Sequence, residues 1–145
     1  MAALDFIHLD HPLYARELDL RFRVLREPLG HTREQVLFPF EAQSLHLIAH
    51  DAGEVVGCVL FHPEDAHGGR LFQMAVAPQL QGQGLGAQLV RTLETGLRER
   101  GFTHVHLHAR AQVVPFYERL GYAVHGEPFI DVGIPHRHMN KTLAP

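Results

Sequence analysis

The chain has 145 residues, 46% hydrophobic and 20% charged, with a formal net charge of −3 and one cysteine, Cys58. That make-up fits one globular domain over residues 1–145. It excludes a disulfide framework, a cysteine zinc cluster, a helix of the roughly 20 apolar residues that cross a bilayer, and the basic stripe of a nucleic-acid binder. The opening MAALDFIHLDH lacks the charged and apolar regions of a signal peptide, so a cytoplasmic protein is expected.

Residues 4–9 alternate weakly and predict a first strand. Residues 11–26 predict a helix with Asp10 as N-cap, Pro12 in the first turn, and an apolar stripe of Tyr14, Leu18, Phe22 and Leu25. Arg21, Arg23 and Arg26 then read as its solvated basic end, suited to the helix dipole. Residues 27–43 predict a loop with one short helix, in which Glu41 reads as a solvated acid. Residues 44–50 and 54–61 predict a hairpin about the turn Asp51-Ala52-Gly53, followed by a polar loop over residues 62–70.

Residues 71–94, LFQMAVAPQLQGQGLGAQLVRTLE, carry the strongest signal. Residues 71–77 are an apolar run suited to a buried strand, ended by Pro78. Leu85, Leu89, Val90, Leu93 and Leu97 fall at helical spacing. The turn between holds Gly82, Gly84 and Gly86 and no Ser, Thr, Asp or Asn to cap the helix. Such a helix start offers free N–H groups and a positive dipole end to an anion, and glycines let it come close. A P-loop is excluded because no Gly-Lys precedes a Ser or Thr. The dinucleotide fingerprint does match at Gly82, Gly84 and Ala87. Its context is wrong, because several strands come first and the nearest suitable acid, Glu99, lies on the helix.

Residues 103–109 predict a strand with Val105, Leu107 and Ala109 on one face and His104, His106 and His108 on the other. Three histidines at this spacing suggest a metal, but no Cys or acid cluster completes a zinc set, and no metal is expected. A short helix over residues 111–120, a strand over 122–125, a loop over 126–135 and a last strand over 136–143 complete the chain. The 13 histidines, scattered along it, make net charge sensitive to pH near neutrality.

Gln81, Gly84 and Gly86 satisfy [QR]-x-x-G-x-[GA] just after MAVAP; FYERLGY follows at residues 116–122, and GIPH at 133–136 leads to Met139 and Lys141. In this order and spacing the motifs resemble the GNAT superfamily of acyl-CoA-dependent N-acyltransferases, within it a bacterial subgroup with a C-terminal GIPHxxMxK segment. The resemblance implies an α/β fold with a mixed, mostly antiparallel sheet of six or seven strands, splayed at its centre, and helices on both faces. It implies acetyl-CoA or another acyl-CoA as co-substrate and an amine acceptor, and homodimers are common among its members.

Residue by residue, the resemblance places the diphosphate on Gln81, Gly82, Gln83, Gly84, Leu85, Gly86 and Ala87. The pantetheine arm runs along Met74, Ala75 and Val76, with the Val76 N–H at the thioester carbonyl. Tyr117 stands where the family has its general acid. The central strand offers Gln73 where many members carry a carboxylate base, and an amide cannot act as one. Other members use a chain of waters, so the base stays open; His136 and His108 are the candidates, each with a structural or substrate-shaping role as the alternative, and Arg26 and Gln73 are the candidate acceptor contacts. A catalytically silent acyl-CoA-binding module is the alternative.

Overall fold

The computed structural model describes residues 2–144. Seven strands form one sheet: β1 (Ala3–Ile7), β2 (Leu45–Asp51), β3 (Glu54–Pro63), β4 (Gly68–Val76), β5 (His104–Arg110), β6 (Ala123–Asp131) and β7 (Ile134–Thr142), ordered β1-β2-β3-β4-β5-β7-β6. All neighbours are antiparallel except β4 and β5. That parallel pair is short, running from Gly68↔His104 to Arg70↔His106. Both strands continue, so the sheet splays open from Arg70 onward, as the resemblance implies.

Helices cover both faces. α1 (Tyr14–Arg21) packs on β3 and β4, and α2 (Leu85–Glu99) on β2, β3 and β4. The alternation of β3 separates them: Gly57 meets Leu89 of α2, whereas Cys58 faces Glu17 and Arg21 of α1. The predicted α2 stripe is the buried one: Leu89, Val90, Leu93 and Leu97 are fully enclosed. Each such side chain contributes about 1.5–3 kcal/mol.

The first helix departs from expectation. It begins at Tyr14 after Leu13, without a side-chain cap, so Asp10 does not cap it. Instead, His11 Nδ1 accepts the Leu13 N–H at 3.0 Å. After Arg21 the coil widens into a π-helical segment, Phe22–Arg26. Its buried face is Glu17, Leu20 and Arg21, not the apolar stripe, because the sheet beneath presents a polar partner, His46. Arg21 and Glu41 are thus buried, against the solvated roles read for them. Residues 27–43 hold three short 3-10 turns, Glu27–Leu29, Arg33–Val36 and Glu41–Gln43.

Two predicted loops are mostly strand. β3 and β4 take up the ends of residues 62–70, leaving a turn held by Asp65, whose carboxylate accepts the His67 and Gly68 N–H groups. Residues 126–135 belong to the β6–β7 hairpin, which turns at Val132 and Gly133, both at positive φ. Gly126 and Pro128 read as loop residues. They lie where the register slips between His125 and Phe129, a bulge that tolerates a missing donor. The predicted helix over 111–120 is a 3-10 turn, Ala111–Val113, followed by α3 (Val114–Arg119).

Candidate active site

β4 carries one residue more than β3 between Cys58↔Ala75 and Leu60↔Phe72. The strand accommodates it as a bulge at Gln73, whose φ is +52°. The Cys58 thiol donates to Gln73 O at 3.3 Å and fixes the bulge from behind. The Gln73 side-chain oxygen is buried without a partner among the described residues.

Beyond the bulge, Ala77 N–H donates to Val56 O at 2.8 Å. Backbone groups alternate along a strand, so Ala75 also points to β3, whereas Met74 and Val76 point to the β5 side. That side has no ladder past Arg70. Of the three residues read as one backbone rail, two face the gap and Ala75 does not. On the open side the Gln81 side chain donates to Val76 O at 3.0 Å, which ties the turn to the strand end. Gln83 donates to Gln79 O at 3.2 Å and braces the turn itself.

α2 starts after Gly84, which has φ +87° and makes no side-chain cap. The first helical bond, Gln88 N–H to Gly84 O, leaves the N–H groups of Leu85, Gly86 and Ala87 without helical acceptors. A Cβ on Gly86 would lie 2.8 Å from Met74 Cε and 3.3 Å from Phe116 Cζ. The strand end, the glycine turn and α3 therefore converge on one spot.

Tyr117 follows Phe116 in α3 and is buried, its ring edge-on to Phe116 and Tyr122. Burial raises its pKa, so the phenol stays protonated. No described residue hydrogen-bonds its hydroxyl.

Across the gap, strand pairing sets Arg110 opposite His136 and His108 opposite His138. His136 is nearly buried, and its Nδ1 lies 2.7 Å from Ile134 O. A carbonyl can only accept, so Nδ1 carries the proton and Nε2 keeps a lone pair in the neutral ring. His108 packs edge-on to His138 and Phe129. Burial, with Arg70 and the neighbouring histidines, lowers its pKa to about 4. It is therefore neutral at pH 7.

Arg26 ends the π-helical segment, with its guanidinium 5.9 Å from the Phe38 ring. Burial, then Arg21 and Arg110, lower its pKa. Phe129 touches both His108 and His136, and Arg26 is within electrostatic range of Arg110, which pairs with His136; among the described residues no hydrogen bond, ion pair or ring contact joins Gln73 to them.

The sequence reading missed the ion cluster around Arg21. Arg21 Nη1 donates to Glu17 at 2.8 Å and to Glu41 at 3.0 Å, and Nη2 donates to Glu41 at 2.6 Å and Val36 O at 2.7 Å. Tyr14 donates to Glu41 at 2.6 Å. Burial opposes both the charge on Arg21 and that on Glu41. Their mutual bonds outweigh it, holding the guanidinium above and the carboxyl below their ordinary pKa values. Among the described residues, Glu17, Glu41 and His46 are the one trio whose ligand atoms lie within 4.8 Å of one another, and Arg21 supplies the positive charge there. The legible signal was the i,i+4 pair Glu17/Arg21.

A family model described as an acetyltransferase (GNAT) domain matches residues 30–143. YjcF of Bacillus subtilis, called an uncharacterized N-acetyltransferase, is 32% identical over 109 residues, covering 74% of this chain and 77% of that protein. The fold is shared with an acyl-CoA N-acyltransferase from Pseudomonas aeruginosa, at TM-score 0.84 and 23% identity over 97% of this chain and 99% of that one. It is shared as well with an aminoglycoside 6'-N-acetyltransferase solved with coenzyme A, at TM-score 0.82 and 20% identity over 99% and 98%. No helix among the described residues is long and apolar enough to cross a membrane. The family model spans most of the chain and the Bacillus relative agrees with it: the chain belongs to the GNAT family of N-acetyltransferases, enzymes that take their acyl group from acetyl-CoA.

Proposed function

We propose that this enzyme moves an acetyl or other short acyl group from acyl-CoA to an amine, with the thioester lying in the β4–β5 splay. The observation that carries the reading is the convergence of an uncapped α2 N-terminus, Met74 and Phe116 at the mouth of that splay. The N–H groups of Leu85, Gly86 and Ala87 hold the diphosphate, and Gly84 lets it approach the backbone. Met74 and Val76 pair with the pantetheine arm, and Gln81 and Gln83 keep the turn in register with them. Holding both reactants in one cleft supplies the larger part of the acceleration.

The Val76 N–H points where negative charge develops on the thioester oxygen, a contact that strengthens in the transition state. Tyr117 delivers its proton to the departing thiolate; a phenol kept protonated by burial suits that role. His136 takes the proton from the attacking amine through Nε2. His108 is too weakly basic for that step and lines the acceptor side. The unpartnered Gln73 oxygen accepts an N–H of the amine, and Arg26 borders the same space.

The test is acetyl-CoA-dependent release of free thiol across a panel of amines. Turnover should fall about 10²-fold or more in both Tyr117→Phe and His136→Ala, within the range for general acid–base catalysis. Binding of acetyl-CoA without turnover of any amine would support the silent module instead. Unchanged turnover in either variant would remove that residue from the mechanism.

A further inference from the structure

Three arginines on the acceptor side, Arg26, Arg70 and Arg110, have no protein partner that hydrogen-bonds their guanidiniums among the described residues. The Nε of Arg26 and of Arg70 are moreover buried. More than nine in ten buried polar groups find partners, and one left alone costs about 1–3 kcal/mol. Two such donors, both within electrostatic range of Asp131, are what a bound acceptor group would complete.

The geometry puts them at one place. Arg26 lies 5.9 Å from the Phe38 ring and Arg70 lies 6.0 Å from the Phe72 ring; those rings meet edge-on at 5.2 Å. Each guanidinium thus lies against one ring of a touching aromatic pair. Arg110, at the end of β5 opposite His136, is within electrostatic range of Arg26. Asp131 of the β6–β7 hairpin is the carboxylate in range of both Arg26 and Arg70. Glu64, also in range of Arg70, is engaged by His106. Positive charge is thus in local excess in a chain whose formal net charge is −3.

We propose that Arg26, Arg70 and Arg110 recognise an oxyanion, a carboxylate or a phosphate, carried by the amine acceptor. The substrate class is then an anionic or zwitterionic amine, not a polycation. This deepens the acyltransferase reading above and rests on it. Guanidiniums fork onto two-oxygen anions with paired hydrogen bonds, and each unpaired donor gains a partner. A polyamine would meet like charge at the same arginines and lose affinity.

The test uses three probes on the intact protein: glutarate, its neutral diamide glutaramide, and inorganic phosphate. Each is titrated while the ring resonances of His108 and His138 are followed by NMR. Binding of acetyl-CoA is measured separately by calorimetry. Saturable shifts are expected with glutarate, phosphate or both, and none with glutaramide. A response to glutarate alone assigns a carboxylate, and to phosphate alone a phosphate. Arg26→Gln and Arg70→Gln should each weaken the anion at least 10-fold and leave acetyl-CoA affinity within twofold. Equal shifts with glutaramide, no shift with either anion, or undiminished binding in both variants would overturn the inference. The glutarate–glutaramide comparison needs no variant, so poor folding of one cannot leave the question open. Loss of acetyl-CoA binding in wild type would instead sink the transferase reading.

Discussion

Glu17 and His46 lie 29 residues apart in sequence, yet both carboxylate oxygens of Glu17 fall within 3.0 Å of His46 Nδ1. The other ring nitrogen, Nε2, lies 2.8 Å from Glu41 O. Both nitrogens face groups that can only accept, so both must donate, and the ring is an imidazolium. The charge count agrees: with His46 protonated, two carboxylates meet two cations in a site closed to water.

That pairing has a pH signature. Burial alone would lower the pKa of His46, but the bond to Glu17 outweighs it and the net shift is upward. A raised folded-state pKa gives stability that is complete below the unfolded value, about 6.5, and lost as pH rises through the folded value. The difference in unfolding free energy between wild type and His46→Asn should therefore be largest below about pH 6.5 and shrink above it. His108 is expected to act with the opposite sign. With its pKa lowered to about 4, it costs stability as pH falls below the unfolded value. Urea denaturation of wild type, His46→Asn and His108→Asn across pH separates the two. A flat difference for His46→Asn would refute the imidazolium.

The same network separates Arg21 from Arg23. Arg21→Met leaves the buried Glu17 and Glu41 carboxylates with one cation, His46, between them, and removing one partner of such a group costs about 3–5 kcal/mol. Arg23 is exposed two residues on, and Arg23→Ala should leave stability unchanged within error. Chemical denaturation of the two proteins checks the contrast; equal effects would mean that the ion cluster carries no stability.

These arginines also mark where the sequence stopped being legible. α2 was readable because apolar spacing and uncapped glycines are local signals, and the structure buries Leu89, Leu93 and Leu97 as expected. Arg21 was not, because its burial depends on Glu41 and His46, brought in by a turn and a strand far along the chain. Helical spacing cannot report which polar residue will meet a polar sheet face. Residues 126–135 failed for a related reason. Gly126 and Pro128 are turn signals, and only pairing with β7 makes them a bulge. Of the proposed site, Tyr117, His136 and the glycine turn are motif readings, whereas the proposed grouping of Arg70 and Arg110 with Arg26 depends on residues far apart in sequence.

Gly84 tests the helix start. Its φ of +87° is left-handed, and a Cβ there would touch nothing. Gly84→Ala should thus cost about 1–2 kcal/mol of stability from backbone strain alone. It should also weaken acetyl-CoA binding, because on the proposed function the methyl would stand where the diphosphate approaches. Gly30, at φ +76° and also with open space around it, is the control. Gly30→Ala should cost similar stability and leave acetyl-CoA affinity unchanged. Calorimetric titration of both variants decides it, and equal affinities would place the diphosphate elsewhere.

The two tyrosines at the end of α3 should separate catalysis from folding. Tyr117 and Tyr122 lie edge-on at 5.7 Å between ring centroids, both buried. Tyr122 donates to Glu94 Oε2 at 2.8 Å, and Lys141 Nζ reaches the other oxygen at 2.9 Å. Tyr122→Phe takes a donor from a buried carboxylate and should cost about 1–3 kcal/mol. Turnover should be retained at temperatures where that protein is folded. Tyr117 has no such partner among the described residues, so Tyr117→Phe removes a hydroxyl that bonds to no protein group and should leave stability nearly unchanged. If it nonetheless lowers turnover, the hydroxyl is retained for chemistry and not for packing. Thermal denaturation alongside thiol release gives both numbers from one preparation. A Tyr117→Phe protein that loses stability and activity in proportion would make the residue structural.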